Sequence, residues 1–295
     1  MNYYQPSSPF VLTADIGGSH ITTAICDTLL NTIVPESMAR VSISSKDTAQ
    51  NIFAAWNKCF LASLANFQQG VSGLGIAMPG PFDYENGISY ITGLDKFDAI
   101  YGVDIRWQLA VLLSLDAAAI QFRNDAEAAV AGEVWAHFGK YYQNIVGITL
   151  GTGFGSAHYK AGITKDVNWG SFAFKDSIAD DYLSTRWFLK RYTEISGTRL
   201  SEVKQLAGLA LTDHQALAVF EEFTLNLGDF LETQLLPLQP QALIICGNIA
   251  KASAFFLPGL KTRLKDIQIE LAVLGEDAPL FGVASLFQGS IKIKD

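Results

Sequence analysis

The chain has 295 residues, 49% hydrophobic and 17% charged, which is enough apolar material for two folded domains and excludes a disordered or fibrous chain. Its 29 acidic and 21 basic side chains leave a net charge of -8, so neither nucleic acid nor an anionic membrane is expected as a partner. Three widely separated cysteines, Cys26, Cys59 and Cys246, provide neither a disulfide framework nor a cysteine-rich zinc site and fit a reducing cytoplasm.

The opening residues lack the basic segment and apolar run of a signal peptide. The uncharged stretch 60–82 is interrupted by Asn66, Gln68, Gln69 and Pro79, so a soluble protein is expected. Residues 10–15, 21–26 and 38–43 read as strands joined by short turns. Over residues 46–67, Ile52, Phe53, Trp56, Phe60, Leu61 and Leu64 recur at three-to-four spacing, which predicts a helix with one buried face, ended by Gly70. Residues 73–78 form a short apolar run suited to a buried strand that enters the Pro79-Gly80-Pro81 loop. A helix over 104–113 and a strand over 117–123 lead to Asn124-Asp125, where a further helix opens and runs to about Phe138. Open α/β sheets place ligand groups at such strand ends.

A second hairpin, strands 145–150 and 154–160, surrounds Gly151-Thr-Gly-Phe-Gly155. Helices are predicted over 178–196, 201–206 and 212–236. A strand over 242–246 then runs into Gly247-Asn248 and a helix to about Leu264, and a helix over 279–287 closes the chain. No Ser, Gly or Pro-rich linker divides the two halves, so a direct hinge between residues 123 and 144 is expected.

Val11 to Ser19 and Val146 to Gly155 share one design, an apolar strand that stops in a turn of glycines and a hydroxyl. Glycine admits close backbone approach, and successive N–H groups with a Ser or Thr hydroxyl bind phosphate oxygens, so the pair points to one polyphosphate gripped from two sides. A plain hairpin turn is the alternative for either copy alone. A dinucleotide fingerprint at Gly151-x-Gly-x-Gly155 is disfavoured, because residues 154–160 read as a strand where that motif opens a helix.

Asp15-Ile-Gly-Gly-Ser19, Met78-Pro-Gly-Pro81, Asn124-Asp125 with Gly132-Glu133, Gly151-Thr-Gly-Phe-Gly155 and Gly247-Asn248 stand in the order found in the ROK family of repressors, uncharacterised reading frames and sugar kinases, and the chain resembles that family from Val11 to Phe287. The resemblance implies an α/β fold of two ribonuclease H-like domains, as in the actin, heat-shock and sugar kinase superfamily, with an interdomain cleft for ATP and a hexose. It implies a small N-terminal domain over 1–123, joined by a C-terminal helix at about 279–295, and a large domain over 124–278.

Carried over by position, Asp15 looks like the acid that holds Mg2+ through water, and Gly17, Gly18 and Ser19 look like the first phosphate turn. Gly151, Thr152 and Gly153 are similar to the second turn, and Gly247 and Asn248 to the turn beside the adenosine, which is usually Gly-Gly. Asp125 matches the general base that takes the proton of an attacking sugar hydroxyl. Its plain alternative is a helix N-cap. Asn124 and Gly80 match the sugar-binding set.

After the second turn the family usually shows a Glu-x-Gly-His segment and a Cys-rich zinc loop. Phe174 and Ser177 fall where that Glu and His would stand, and no cysteine lies between residues 60 and 245, so no structural zinc is expected. Asp180, in Asp180-Asp181-Tyr182-Leu183-Ser184, is the candidate acid for the sugar, with a helix cap or dipole partner as the plain alternative. The implied function is a cytoplasmic, dimeric ATP-dependent sugar kinase acting on a hexose hydroxyl. The alternative is a catalytically silent sugar-binding or sugar-sensing relative; the short stretch before the first strand disfavours a repressor with an N-terminal helix-turn-helix.

Overall fold

The computed structural model describes residues 3–93 and 96–288, and the chain divides into two compact units, one formed up to His137 and again from Asp277, the other by Phe138–Glu276. In the first unit β1 (Phe10–Ile16), β2 (His20–Asp27), β3 (Thr32–Ile33), β4 (Ala39–Ser42), α1 (Ala49–Leu64), β5 (Leu74–Met78), the hairpin strands β6 (Phe82–Asp83) and β7 (Ile88–Ser89), α2 (Ile105–Leu113), β8 (Ile120–Asn124) and α3 (Asp125–Ala136) follow in chain order. The sheet runs β3-β2-β1-β5-β8, with β4 also paired to β2. β1 and β2 are antiparallel, whereas β1, β5 and β8 are parallel. Every residue of β5 is buried, the pattern of a central strand covered on both faces. α1 begins at Ala49, later than the predicted 46, because the Thr48 hydroxyl caps it by accepting from Asn51 N–H.

The second unit contains β9 (Asn144–Leu150), β10 (Phe154–Lys160), β11 (Ile163–Asp166), the hairpin strands β12 (Ala173–Phe174) and β13 (Ser177–Ile178), α4 (Asp180–Leu183), α5 (Thr185–Ser196), α6 (Val203–Leu209), α7 (His214–Leu235), β14 (Ala242–Cys246), a 3-10 stretch (Asn248–Phe255), α8 (Leu257–Arg263) and β15 (Gln268–Leu271). Its order is β11-β10-β9-β14-β15, with β9 and β10 antiparallel and β9, β14 and β15 parallel. Both sheets thus place an antiparallel hairpin beside two parallel strands. The core of this unit is aromatic: Phe188, Phe220, Phe223, Phe230 and Phe256 are fully buried, and the Phe188 and Phe223 rings lie 4.6 Å apart.

Several predicted elements are revised. The helix expected over 178–196 is broken, because Ser177–Ile178 pair with Ala173–Phe174 and the extended Ser184 separates α4 from α5. The helix expected after Gly247 is 3-10 with a kink at Ala252, and α8 starts only near Pro258. Residues 117–119 form a 3-10 turn capped by Asp116 rather than strand. β15 and β11 are additional strands, each mostly exposed and therefore without a strong apolar signal.

The last helix, α9 (Ala278–Ala284), packs in the first unit. α1 and α9 cover opposite faces of its sheet: the Thr23 hydroxyl donates to Cys59 O at 3.1 Å on the α1 side, while Cys26, an odd number of residues further along β2, faces Leu280 O of α9. A Cβ on Gly132 would run into Ala278 O, and one on Gly282 into Ala128 O, so small residues on both helices let the backbones of α3 and α9 touch. Arg123 adds Nη1 bonds to Gly282 O (2.8 Å) and Ser285 Oγ (3.1 Å). This contact places α3 in the first unit, whereas the sequence reading assigned residues from 124 to the second domain. Of the helix predicted at about 279–295, residues 289–295 lie outside the described residues.

Candidate active site

In the first unit the parallel register sets Asp15 opposite Ala77 and Met78 opposite Asn124, so the loops after β1, β5 and β8 leave one edge of the sheet. That edge is where open α/β sheets carry ligand sites. Gly17, Gly18 and Ser19 close the β1–β2 hairpin: Gly17 N–H donates to His20 O (3.0 Å) and Gly18 O accepts from Ser45 N–H (3.1 Å). Neither glycine has a positive φ, so glycine provides room here and not a left-handed turn. Ser19 is exposed, with its Oγ 3.1 Å from His20 Nδ1. Asp15 is half-buried near the end of β1.

Asn124 is the N-cap of α3, its Oδ1 accepting from Ala126 N–H (2.9 Å) and Glu127 N–H (3.1 Å). Its Nδ2 donates to Tyr84 Oη (3.2 Å), and Tyr84 in turn donates to Met78 O (3.0 Å) and stands against the Gly80 loop. Asn124 performs the capping, and the neighbouring Asp125 carboxylate accepts from Ala126 N–H through Oδ1 at 2.9 Å. Asp125 is open to solvent, yet crowded by enough protein that loss of hydration pushes its pKa up; the Ala126 N–H and the Lys96 charge oppose this by favouring the carboxylate. Accessibility governs whether a substrate can reach it, and the raised pKa suits a base.

In the second unit Gly151, Thr152 and Gly153 close the β9–β10 hairpin, with Gly151 N–H donating to Gly153 O at 3.1 Å. Asp180, the first residue of α4, lies beneath this turn. Its Oδ1 accepts from Phe154 N–H (2.5 Å) and would stand 3.0 Å from a Cβ on Gly153, while Oδ2 pairs with Arg186. Gly247 leaves β14 at φ +91, and a Cβ there would strike Leu150 O, the residue before the turn. Here glycine is required both by conformation and by space. Asn248 follows it, exposed, at the start of the 3-10 stretch.

Asp15, Gly17, Gly18, Ser19, Gly80, Asn124 and Asp125 therefore gather at one sheet edge of the first unit, and Gly151, Thr152, Gly153, Asp180, Gly247 and Asn248 gather in the second. Tyr84, Ser45, Lys96 and Arg186 join them without any motif to announce them: Tyr84 and Arg186 follow Gly80 and Asp180 by a few residues, while Ser45 and Lys96 reach the first turn from loops distant in sequence. The buried Cys26 thiol has its pKa pushed up to about 12 by burial and is no nucleophile. Among the described residues no group of three or more His, Cys, Asp or Glu could hold a metal ion, and no helix is long and apolar enough to cross a membrane.

Known proteins resemble this chain over most of its length. The N-acetyl-D-glucosamine kinase of Mannheimia succiniciproducens is 22% identical, covering 92% of this chain and 97% of the relative. The xylose repressor of Bacillus subtilis is 20% identical over 97% of this chain and 79% of the relative. The solved structure of a ROK family glucokinase from Streptomyces griseus, in complex with glucose and AMPPNP, matches with a TM-score of 0.76 at 20% identity, over 94% of this chain and 98% of that one. It establishes the fold as that of ROK sugar kinases. The ROK family model matches residues 11–164, more than half of the sequence, and the chain belongs to the ROK family.

Proposed function

We propose that the protein is an ATP-dependent sugar kinase that transfers the γ-phosphoryl group to a hydroxyl of a hexose or N-acetylhexosamine, with Asp125 as general base. The observation that carries this reading is the Asp125 carboxylate, exposed at the start of α3 and relieved of capping by Asn124. Its raised pKa adds a motive to accept a proton. The hydroxyl oxygen forms a new bond to the γ-phosphorus as its proton passes to Asp125, and the bond from that phosphorus to the bridging oxygen breaks, leaving ADP with the electron pair. Base assistance of this kind contributes on the order of 10² to 10⁴-fold.

Gly17, Gly18 and Ser19 in the first unit and Gly151, Thr152 and Gly153 in the second present backbone N–H and hydroxyl donors suited to phosphate oxygens. Gly247 and Asn248 suit the adenosine end of the nucleotide. Asn124 keeps one amide hydrogen beyond its bond to Tyr84, and Gly80 leaves the loop beside it uncrowded, so both suit a sugar hydroxyl. Asp180 holds the second turn and retains lone pairs for a sugar hydroxyl.

A single half-buried carboxylate fits Mg2+, which keeps most of its waters and is bound through one or two carboxylates and substrate phosphates, so Asp15 is the residue that would hold it. Bound there, the ion would supply charge neutralisation on the phosphate oxygens. The names of the kinase relatives support glucose and N-acetylglucosamine as first candidates. The resemblance to the xylose repressor favours a second reading, a sugar-binding relative without turnover. Incubation with Mg-ATP and a panel of hexoses and hexosamines, with coupled detection of ADP, tests the proposal. No ADP above background with any sugar, in a sample shown to be folded, refutes it; sugar binding by calorimetry in that same sample would establish the second reading.

A further inference from the structure

We propose that Lys96 is a catalytic cation of this reaction, its ammonium poised between the first glycine turn and Asp125 to bind the phosphoryl group in transit. The inference rests on the sugar kinase reading and adds to it a residue that no motif includes. Three features of the first unit lead to it.

The backbone that carries Lys96 is keyed to the turn. Phe97, the next residue, is fully buried in a left-handed conformation at φ 59, with its ring 6.0 Å from Trp56. Its N–H donates to Ser45 O (2.7 Å), and Ser45 N–H donates to Gly18 O (3.1 Å), so two hydrogen bonds connect position 97 to the glycine turn. A non-glycine residue in the left-handed region costs about 1 kcal/mol, which the surrounding packing must over-determine. The position of Lys96 is thus built and not incidental.

The side chain then lies along the turn. Lys96 Cδ stands 4.0 Å from the place a Gly18 Cβ would occupy, so the aliphatic stem passes over Gly18 and the ammonium lies one methylene further out. The charge also acts on Asp125, where it favours the carboxylate. Among the described residues Lys96 forms no ion pair, and it is only half-buried. A cation without an ion-pair partner among the described residues, whose stem lies over the phosphate turn and whose charge is felt by the base, is what phosphoryl transfer demands, because charge spreads over the equatorial oxygens while the group moves from nucleotide to hydroxyl. The same cation keeps Asp125 ionised at a lower pH than loss of hydration alone would allow.

Lys96→Met and Lys96→Arg, each in the full chain, separate this role from a structural one through two readouts: steady-state kinetics with Mg-ATP and the best sugar, and carbon-13 NMR titration of the Asp125 carboxyl. Lys96→Met is expected to lower kcat about 10²-fold, the scale for removing one stabilising donor from a charged transition state. The sugar KM should stay within about twofold, as for an interaction made only in the transition state. The Asp125 titration should move to higher pH in Lys96→Met and stay near wild type in Lys96→Arg, which should also regain most of the rate. Absence of ADP formation by the wild type would refute the kinase reading itself. Wild-type turnover together with an unaltered kcat and an unmoved Asp125 titration in Lys96→Met would overturn the role of Lys96 alone.

Discussion

The two glycine turns close equivalent hairpins in sheets of like order, yet they are held in different ways. The first is tied by main-chain bonds, Gly17 N–H to His20 O and Ser45 N–H to Gly18 O, and its glycines have ordinary φ values. The second is fixed by a charged side chain and a forced glycine: Asp180 Oδ1 accepts Phe154 N–H at 2.5 Å, and Gly247, at φ +91, packs on Leu150 O. One local shape can therefore come from unrelated supports. Substitutions at the second turn should act through fold and charge, whereas substitutions at the first should act on the ligand.

The largest effect is expected at the base. Asp125→Asn should reduce kcat by about 10² to 10⁴-fold without unfolding the protein. Because loss of hydration raises the folded-state pKa of Asp125 above its unfolded value, folding favours the protonated form; its stabilising contribution is full at low pH and lost as pH rises through the folded pKa. The melting temperature of Asp125→Asn should therefore equal or exceed that of wild type at neutral pH, and the acid limb of the wild-type kcat/KM profile should lie above the ordinary carboxylate range. A variant that melts early at neutral pH would mean that Asp125 is structural.

The contrast between the turns is sharpened next by alanine at one glycine in each. Gly247→Ala should destabilise by more than about 1 kcal/mol in denaturant titration, since both the positive φ and Leu150 O oppose a Cβ. Gly18→Ala should leave the denaturation midpoint nearly unchanged, because its Cβ would meet Ser45 Oγ only at 3.4 Å, while still weakening ATP binding. Equal losses of stability would break the comparison. A comparable effect is expected from Asp180→Ala, which removes a charge-assisted hydrogen bond worth about 1.5 to 3 kcal/mol and should raise the KM for ATP by about tenfold or more. Least affected should be Tyr84→Phe, which ends the hydroxyl's bonds to Asn124 Nδ2 and Met78 O; loss of the first, about 1 kcal/mol, should raise the sugar KM about fivefold and leave the ATP KM unchanged.

Much of this arrangement was legible in the chain itself. The strands before Gly17, Gly151 and Gly247 carry apolar runs that end in distinctive turns, so their positions agree with the fold to within a residue, whereas the strand before Asn124, interrupted by Gln121 and Arg123, begins three residues later than expected. The supports were not legible. Tyr84 and Lys96 reach Asn124 and Gly18 through contacts between segments that no local pattern links, and β15 alternates exposed Gln268 and half-buried Glu270 with only one buried residue, Ile269. The assignment of α3 to the first unit depends on Gly132 admitting the backbone of α9, a contact with residues far along the chain. Nor could spacing tell that Asn124, and not Asp125, caps α3, since either side chain is favoured at that position.

The most direct test of the account is single-turnover phosphoryl transfer by wild type and Asp125→Asn, with radiolabelled ATP, Mg2+ and each sugar of the panel. The account predicts labelled sugar phosphate from the wild type and a burst slower by at least about 10²-fold from the variant. Equal rates from the two proteins, or no labelled sugar phosphate from a folded wild type that binds sugar, would contradict it.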